Sequence, residues 1–309
     1  MAEPHPRLLI HIGFPKAGTH FLHHWFRSHP EVDLVTGRFI EPGAVEALRA
    51  RLAGPAAGGG ERLTVVSDES LAAAVPDLEG RLYREEVEPV RFEEIEAACR
   101  RLAAAFPEAG VLVLTRGFRA MLVSGFSQSV KAGGSLPFFA QRSQALNARG
   151  VSGAFLNYGF VVQTYRTHFG GPVTVLPYEL LDDDPAAFVS RLSRSLGIAP
   201  LRHSDRRLNP ALGPVELAWY PRLSALVKRA PMPASLRSRL FEAYRARIGS
   251  HRLRPLIAAF QTLRPLAPVS ADSVPPEALD HFRGHADLLA ELEPYPAYRE
   301  PYLLPPASN

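Results

Sequence analysis

A chain of 309 residues, 46% hydrophobic and 21% charged, can bury a sizeable core and suits one α/β domain or one domain with a helical subdomain. The formal charge of +4 argues a mild preference for acidic partners and no more, and a single cysteine, Cys99, excludes an intrachain disulfide and fits a reducing compartment. No apolar run approaches the roughly 18 residues of a membrane span, and none of signal-peptide length precedes the first strand, so the expectation is a soluble, cytoplasmic protein without integral membrane association.

The first predicted element is a short apolar strand at Leu8, Leu9, Ile10 and Ile12 that breaks at Gly13-Phe14-Pro15. Helical spacing resumes after Gly18 with Phe21, Leu22 and Trp25. A tight loop between strand and helix is an anion trap, because helix-start N–H groups point into it and the helix dipole adds positive potential. Gly13 and Gly18 stand five positions apart, as in a phosphate-binding loop, but Thr19 and His20 follow Gly18 and the lysine comes earlier, at Lys16. Ala17 then occupies the place where a hydroxyl would hold Mg²⁺, so a phosphate loop without a magnesium seat is expected. The chain has three lysines against 32 arginines, and a lysine in this loop suggests that a compact ammonium is wanted there. The bland alternative is a plain strand-to-helix turn with one exposed lysine.

Pro15-Lys16-Ala17-Gly18-Thr19-His20-Phe21-Leu22 resembles the 5′-phosphosulfate loop of the sulfotransferases that use 3′-phosphoadenosine 5′-phosphosulfate (PAPS), commonly PKSGTT followed by an aromatic and leucine. Ala17 and His20 depart from that pattern and remove two hydroxyls. The resemblance implies a three-layer α/β sandwich with a central parallel sheet, P-loop NTPase-like, with a mostly helical C-terminal third. It covers Leu8 to Gly197 in dispersed pieces, and the whole of 1–309 is expected to be one sulfotransferase-like domain. Residues 1–200 would be the PAPS-binding core and 201–309 a helical cover with a Pro-rich tail.

Further on, Val32 to Phe39 is partly β-prone, Gly43 to Leu52 reads as a helix, and the glycine-rich stretch from Gly54 to Gly60 reads as a linker. A second strong strand, Leu63 to Ser67, closes on Asp68-Glu69-Ser70, at the sheet edge where ligands of parallel sheets bind. The resemblance places a general base here, with Glu69 as first choice and Asp68 and His20 as alternatives. The competing reading is that Asp68 and Ser70 merely cap the following helix.

An acidic, exposed stretch from Gly80 leads into a helix from Phe92 to Phe106 that carries Cys99 as a core residue. Val111 to Thr115 is a continuous apolar strand suited to burial on both faces, ended by Arg116. Ser124 follows eight residues later within a helix, so that arginine and serine can converge on one phosphate. This pair resembles the sulfotransferase 3′-phosphate motif, with Gly117-Phe118 in place of the frequent Asn-Pro. Lys131 ends that helix and is left without a role, since a lysine is favourable at any helix C-terminus.

Helices are then expected at Leu136 to Ala145 and Ala154 to Phe169, and a strand from Val173 to Glu179. Strand, Tyr178-Glu179 and the helix capped by Asp184-Pro185 and closed by Gly197 resemble a further family stretch, making Tyr178 a cofactor contact or a core aromatic. Arg206 and Arg207 match loosely the region that closes over the cofactor. Beyond Pro214 the pattern is helical to Leu266 and again from Pro276 to Leu292. Between Arg222 and Arg254 nine basic residues face one acid, Glu242, as either an anion-facing surface or a solvated helical face. The pairs His281/His285 and the set His20, His23 and His24 lack a third ligand nearby, so no metal is expected.

Together these features imply sulfuryl transfer from PAPS to an acceptor hydroxyl or amine, with Lys16 and Glu69 catalytic. Pro15, Lys16, Ala17, Gly18, Thr19, His20, Arg116, Ser124 and Tyr178 would contact the cofactor. The acceptor would be a small molecule or glycan, with no nucleic acid among the partners. The rival readings are a P-loop kinase, which wants Lys followed by Ser or Thr and Mg²⁺, and a non-catalytic binder of anionic glycans or lipids.

Overall fold

The computed structural model describes residues 7–39, 41, 43–53, 62–72, 91–137, 154, 156–201 and 211–306. The glycine-rich linker, the acidic stretch from Gly80 to residue 90, most of the Leu136 to Ala145 helix, and Arg206 and Arg207 lie outside them.

Five strands form one fully parallel sheet: β1 (Leu8–His11), β2 (Val32–Thr36), β3 (Leu63–Ser67), β4 (Gly110–Thr115) and β5 (Val173–Pro177), in the order β2-β3-β1-β4-β5. In register, Ile10 of β1 stands beside Val66 of β3 and Val111 of β4. Every residue of β4 is buried, as a sheet covered on both faces requires. The chain moves to one side of β1 after the first helix and to the other after β3, so the crevice at the carboxyl ends of β1, β3 and β4 is the topological switch point. The expected three-layer α/β sandwich is therefore the observed fold.

On one face pack α2 (Ala44–Ala53), α3 (Phe92–Ala105) and α5 (Tyr158–His168), which comes after α4 (Phe118–Lys131) in the chain. Cys99 is buried in α3, where its thiol donates to the Thr164 carbonyl and burial pushes its pKa up to about 12, so it is the inert core residue expected. On the other face α1 (Thr19–Ser28) meets α7 (Pro185–Leu196) through Phe21 and Phe188, edge to face at 5.7 Å. The Asp184 carboxylate caps α7 by accepting from Ala187 N–H at 2.9 Å, and Gly197 at φ 65° closes it in the left-handed conformation.

Three expected boundaries are corrected. Helix α5 starts at Tyr158 and not Ala154, because the Asn157 side chain accepts from Phe160 N–H and fixes the helix start there. Strand β5 ends at Pro177, and Tyr178-Glu179 open a short helix, α6 (Tyr178–Asp183), which turns both side chains toward the sheet edge. The helix expected from Pro276 to Leu292 is only α11 (Pro276–Asp280), followed by turns and a 3₁₀ segment, because Gly284 adopts φ 80°. The helices α8 (Pro214–Arg229), α9 (Ala234–Gly249) and α10 (Arg254–Leu263) follow the expected helical pattern and carry the basic segment. Among the described residues no helix is long and apolar enough to cross a membrane.

Past these helices the chain returns to the sheet edge. Tyr295 and Tyr302, both fully buried, place their hydroxyls on Thr115 at the end of β4, at 2.7 and 3.0 Å. Tyr302 also donates to Glu179 Oε2 at 2.6 Å, and burial keeps its phenol pKa well above the ordinary value, so it stays a donor. Replacing Tyr302 by phenylalanine keeps the ring and removes this donor from a part-buried carboxylate. A loss of ~2 kcal/mol is expected, read as a lower urea midpoint at unchanged slope; an unaltered midpoint would show that the tail is not coupled to the sheet.

Candidate anion-binding site

The loop at 12–18 stays stitched to β4 through Ile12 N–H to Leu112 O (3.0 Å) and Phe14 N–H to Leu114 O (3.3 Å). It then turns tightly, with Ala17 N–H on the Phe14 carbonyl at 3.1 Å. Lys16 and Gly18 both take positive φ, 67° and 103°, a conformation that a non-glycine residue holds only where its surroundings impose it. A Cβ on Gly18 would stand 3.1 Å from the Tyr178 ring, so glycine is required there on two counts. Such alternation turns backbone N–H groups toward a common point, the geometry of an anion cradle.

Helix α1 begins directly after this loop. Its start has no side-chain cap and no acid in its first turn, so the positive end of the dipole is left unneutralised. Thr19, the first helical residue, is 4% exposed, and its Oγ1 has no hydrogen-bond partner among the described residues. Buried hydroxyls are nearly always bonded, so an orphan at a helix start marks a place prepared for a ligand. Pro15 and Ala17 are buried, while His20 is exposed on the helix.

Arg116 is brought to this loop from β4. Its Nη1 donates to the Lys16 carbonyl at 2.9 Å, and its guanidinium lies 4.5 Å from the centroid of the Tyr178 ring. Its Nε is buried and unpartnered among the described residues. The backbone on either side is clamped: Tyr158 O–H donates to the Arg116 carbonyl at 2.5 Å, and Gly117 N–H donates to Glu179 Oε1 at 2.8 Å. A Cβ on Gly117 would lie 2.6 Å from Pro301, so this glycine admits the C-terminal segment to the site. The two motifs separated by 100 residues in sequence thus share one hydrogen bond. Ser124 sits half-buried two turns into α4.

Lys131, at the end of α4, belongs to the same neighbourhood. Burial lowers its pKa, and the charge of Lys16 lowers it further. At the end of β3, Glu69 is half-buried at the start of a 3₁₀ turn, Glu69–Ala72. Asp68 is a backbone anchor: Oδ2 accepts Phe39 N–H at 2.6 Å, and Oδ1 accepts both Ser70 N–H at 2.8 Å and its hydroxyl at 2.5 Å. That is the capping role of the competing reading. Of the helical histidines, His281 and His285 sit on a turn with ring centroids 5.8 Å apart. No cluster of three or more metal-ligating side chains occurs among the described residues.

The residues to which sequence reasoning gave no role in the site are the supports, Tyr158, Glu179 and Tyr302, and a histidine pair, His11 buried and His23 half-buried. His11 Nδ1 lies 2.8 Å from Ser67 Oγ, and His23 Nε2 reaches the same oxygen at 2.7 Å. Burial is the main cause holding His11 at a pKa of about 3 and His23 at about 4, with neighbouring positive charge adding to both. His11 interrupts an apolar run, and that interruption was the one available signal.

Both histidines are neutral at pH 7 when folded, whereas unfolded histidine takes up a proton near 6.5. The unfolded state therefore gains protons first, and this contribution, complete above pH 6.5, is lost as pH falls toward 4 and then 3. For fully buried His11 it is worth ~5 kcal/mol. Calorimetry should show the thermal midpoint falling between pH 6.5 and 4, with a shallower fall in His11→Gln; parallel profiles would rule His11 out as the source.

No protein-family model and no curated protein sequence matches the chain. Among solved structures it is similar to a sulfotransferase from Alicyclobacillus acidocaldarius, with 18% identity, a TM-score of 0.44, and coverage of 84% of this chain and 97% of that one. It is also similar to mouse sulfotransferase SULT7A1 complexed with PAP, with 12% identity, a TM-score of 0.44, and coverage of 96% of this chain and 88% of that one. At such identities the likeness is one of fold.

Proposed function

We propose that the chain transfers a sulfuryl group from PAPS to an acceptor hydroxyl or amine. The observation that carries this reading is the hydrogen bond from Arg116 Nη1 to the Lys16 carbonyl, which sets a second cation beside an uncapped helix start. A single-anion trap needs only the loop. A loop with an arginine fixed against it, and Ser124 on the following helix, suits a nucleotide that carries anionic groups at two positions.

In this reading the loop amides and the Thr19 hydroxyl hold the 5′-phosphate, and Arg116 with Ser124 holds the 3′-phosphate. The Tyr178 ring, already stacked on Arg116, borders the nucleotide. Lys16 stabilises the charge that gathers on the bridging oxygen and the departing phosphate, and Lys131 adds to the positive field there. Bound PAPS supplies the sulfuryl group. As the acceptor oxygen bonds to sulfur, the bridging S–O bond breaks in line, the electron pair stays on the phosphate, and the acceptor proton goes to Glu69. Half-burial suits Glu69 for that task better than His20, which is exposed. The acceptor is a small molecule or glycan, and the basic residues of helices α8 to α10 would suit an anionic one. Arg254 is partly engaged there, its Nε donating to buried Glu216 at 3.3 Å.

Calorimetric titration with adenosine 3′,5′-bisphosphate, beside adenosine 5′-monophosphate and ATP with Mg²⁺, tests the reading. Preference for the bisphosphate is expected, with affinity reduced roughly tenfold to a hundredfold in Arg116→Ala and less in Arg116→Lys. Tighter, magnesium-dependent ATP binding would instead support a kinase. A Lys16→Ala variant should lose transfer far more than bisphosphate binding, seen as a fall in kcat; an unchanged kcat would leave only a binding role for the loop.

A further inference from the structure

Ser67 Oγ–H has one proton, yet two imidazoles approach its oxygen, His11 through Nδ1 and His23 through Nε2. Both rings are neutral at pH 7, so each carries a single N–H. Both rings could donate to the two lone pairs of the oxygen and leave the serine proton unused, but only two arrangements make both contacts and use that proton. In one, His23 Nε2–H donates to Ser67, Ser67 donates to His11 Nδ1, and the proton of His11 sits on Nε2. In the other every donor is reversed, and His11 Nε2 is a bare lone pair.

The far nitrogen of His11 is the informative atom. His11 is 0% exposed, and its Nε2 has no partner among the described residues. A Cβ built on Gly13 would lie 2.4 Å from that nitrogen and 3.3 Å from Thr19 Oγ1, the other orphan. Two unpartnered buried polar atoms therefore border one point on the floor of the loop, within bridging reach of a single oxygen atom. Leaving a buried ring nitrogen unbonded is costly, and an apolar residue at position 11 would avoid that cost.

We propose that His11 Nε2–H is a buried hydrogen-bond donor to the anionic group held by the 12–18 loop, and that His23, acting through Ser67, keeps the ring in that tautomer. A bare lone pair at this position would repel an anion, whereas an N–H attracts it, so occupancy selects the first arrangement. By linkage the selection works both ways: whatever fixes the proton on His23 Nε2 tightens the loop, and a filled loop leaves His23 Nδ1 bare. His11 is the binding residue of this set. Ser67 and His23 are positioning residues.

The inference rests on the sulfuryl-transfer reading only for the identity of the anion, so its test separates the two. Imidazole nitrogens of the ¹⁵N-labelled protein report protonation site directly, with the His11 and His23 signals assigned by their loss in His11→Phe and His23→Gln. On saturation with adenosine 3′,5′-bisphosphate, both rings should be neutral and protonated at Nε2. His11→Phe, checked for native circular dichroism, should bind the bisphosphate about tenfold more weakly, the value of one hydrogen bond to a charged group. Protonation of bound His11 at Nδ1, opposite tautomers in the two rings, or unweakened binding by a folded His11→Phe would each overturn the relay. If the bisphosphate does not bind, the nucleotide reading fails, and the relay is judged on inorganic sulfate. Protonation of both rings at Nε2 under saturating sulfate upholds it, and a proton on Nδ1 of either ring overturns it.

Discussion

The hydrogen bond from the Arg116 guanidinium to the Lys16 carbonyl joins the ends of two neighbouring strands, and most of the site depends on it. A loop with positive φ at a lysine is costly by itself, and the guanidinium on its carbonyl is one of the contacts that make the conformation stand. The arginine in turn needs a fixed backbone. Tyr158 takes its carbonyl, Glu179 takes the next amide, and the Tyr178 ring supports the flat face of the side chain. Four segments that are far apart in sequence thus agree on the position of one cation. Preorganisation of this kind lets an anion bind without charging the fold for rearrangement.

Much of this was legible because its causes are local. An apolar run ending in glycines, as at Leu8 to Gly13, makes a strand and a turn wherever it occurs. Asp184-Pro185 and Gly197 bracket a helix by capping chemistry that does not depend on the rest of the chain. The loop lysine and the Arg116 to Ser124 spacing were readable for the same reason, each lying within one strand-turn-helix unit. What escaped were long-range partners. Tyr302 stands in a Pro-rich tail without periodicity, and nothing near it in sequence announces that its hydroxyl meets Glu179. Where Tyr178 belongs was misjudged because a strand and a short helix share one apolar stretch, and tertiary contact with Arg116 and Gly117 settles the boundary. Gly284 was a visible breaker within the Pro276 to Leu292 run, and it does break it.

Asp68 and His11 show how burial changes the meaning of a polar residue. Both stand at the carboxyl ends of strands, where chemistry is expected, and their chain positions look equivalent. Asp68 has its oxygens taken up by backbone and hydroxyl donors, and serves the architecture. His11 has one nitrogen bonded and the other left over, which is an expensive way to build a core and an effective way to leave a contact in reserve.

The clamp on Thr115 and Glu179 also fixes an order of events during synthesis. The loop and β4 emerge early, yet the hydroxyls that complete their support belong to Tyr295 and Tyr302, made nearly two hundred residues later. Until those residues leave the ribosome, Thr115 lacks its partners and Glu179 faces a gap. A nascent chain can therefore pair its strands well before the ends of those strands have their full support, and the tail completes the sheet edge as the closing step of folding.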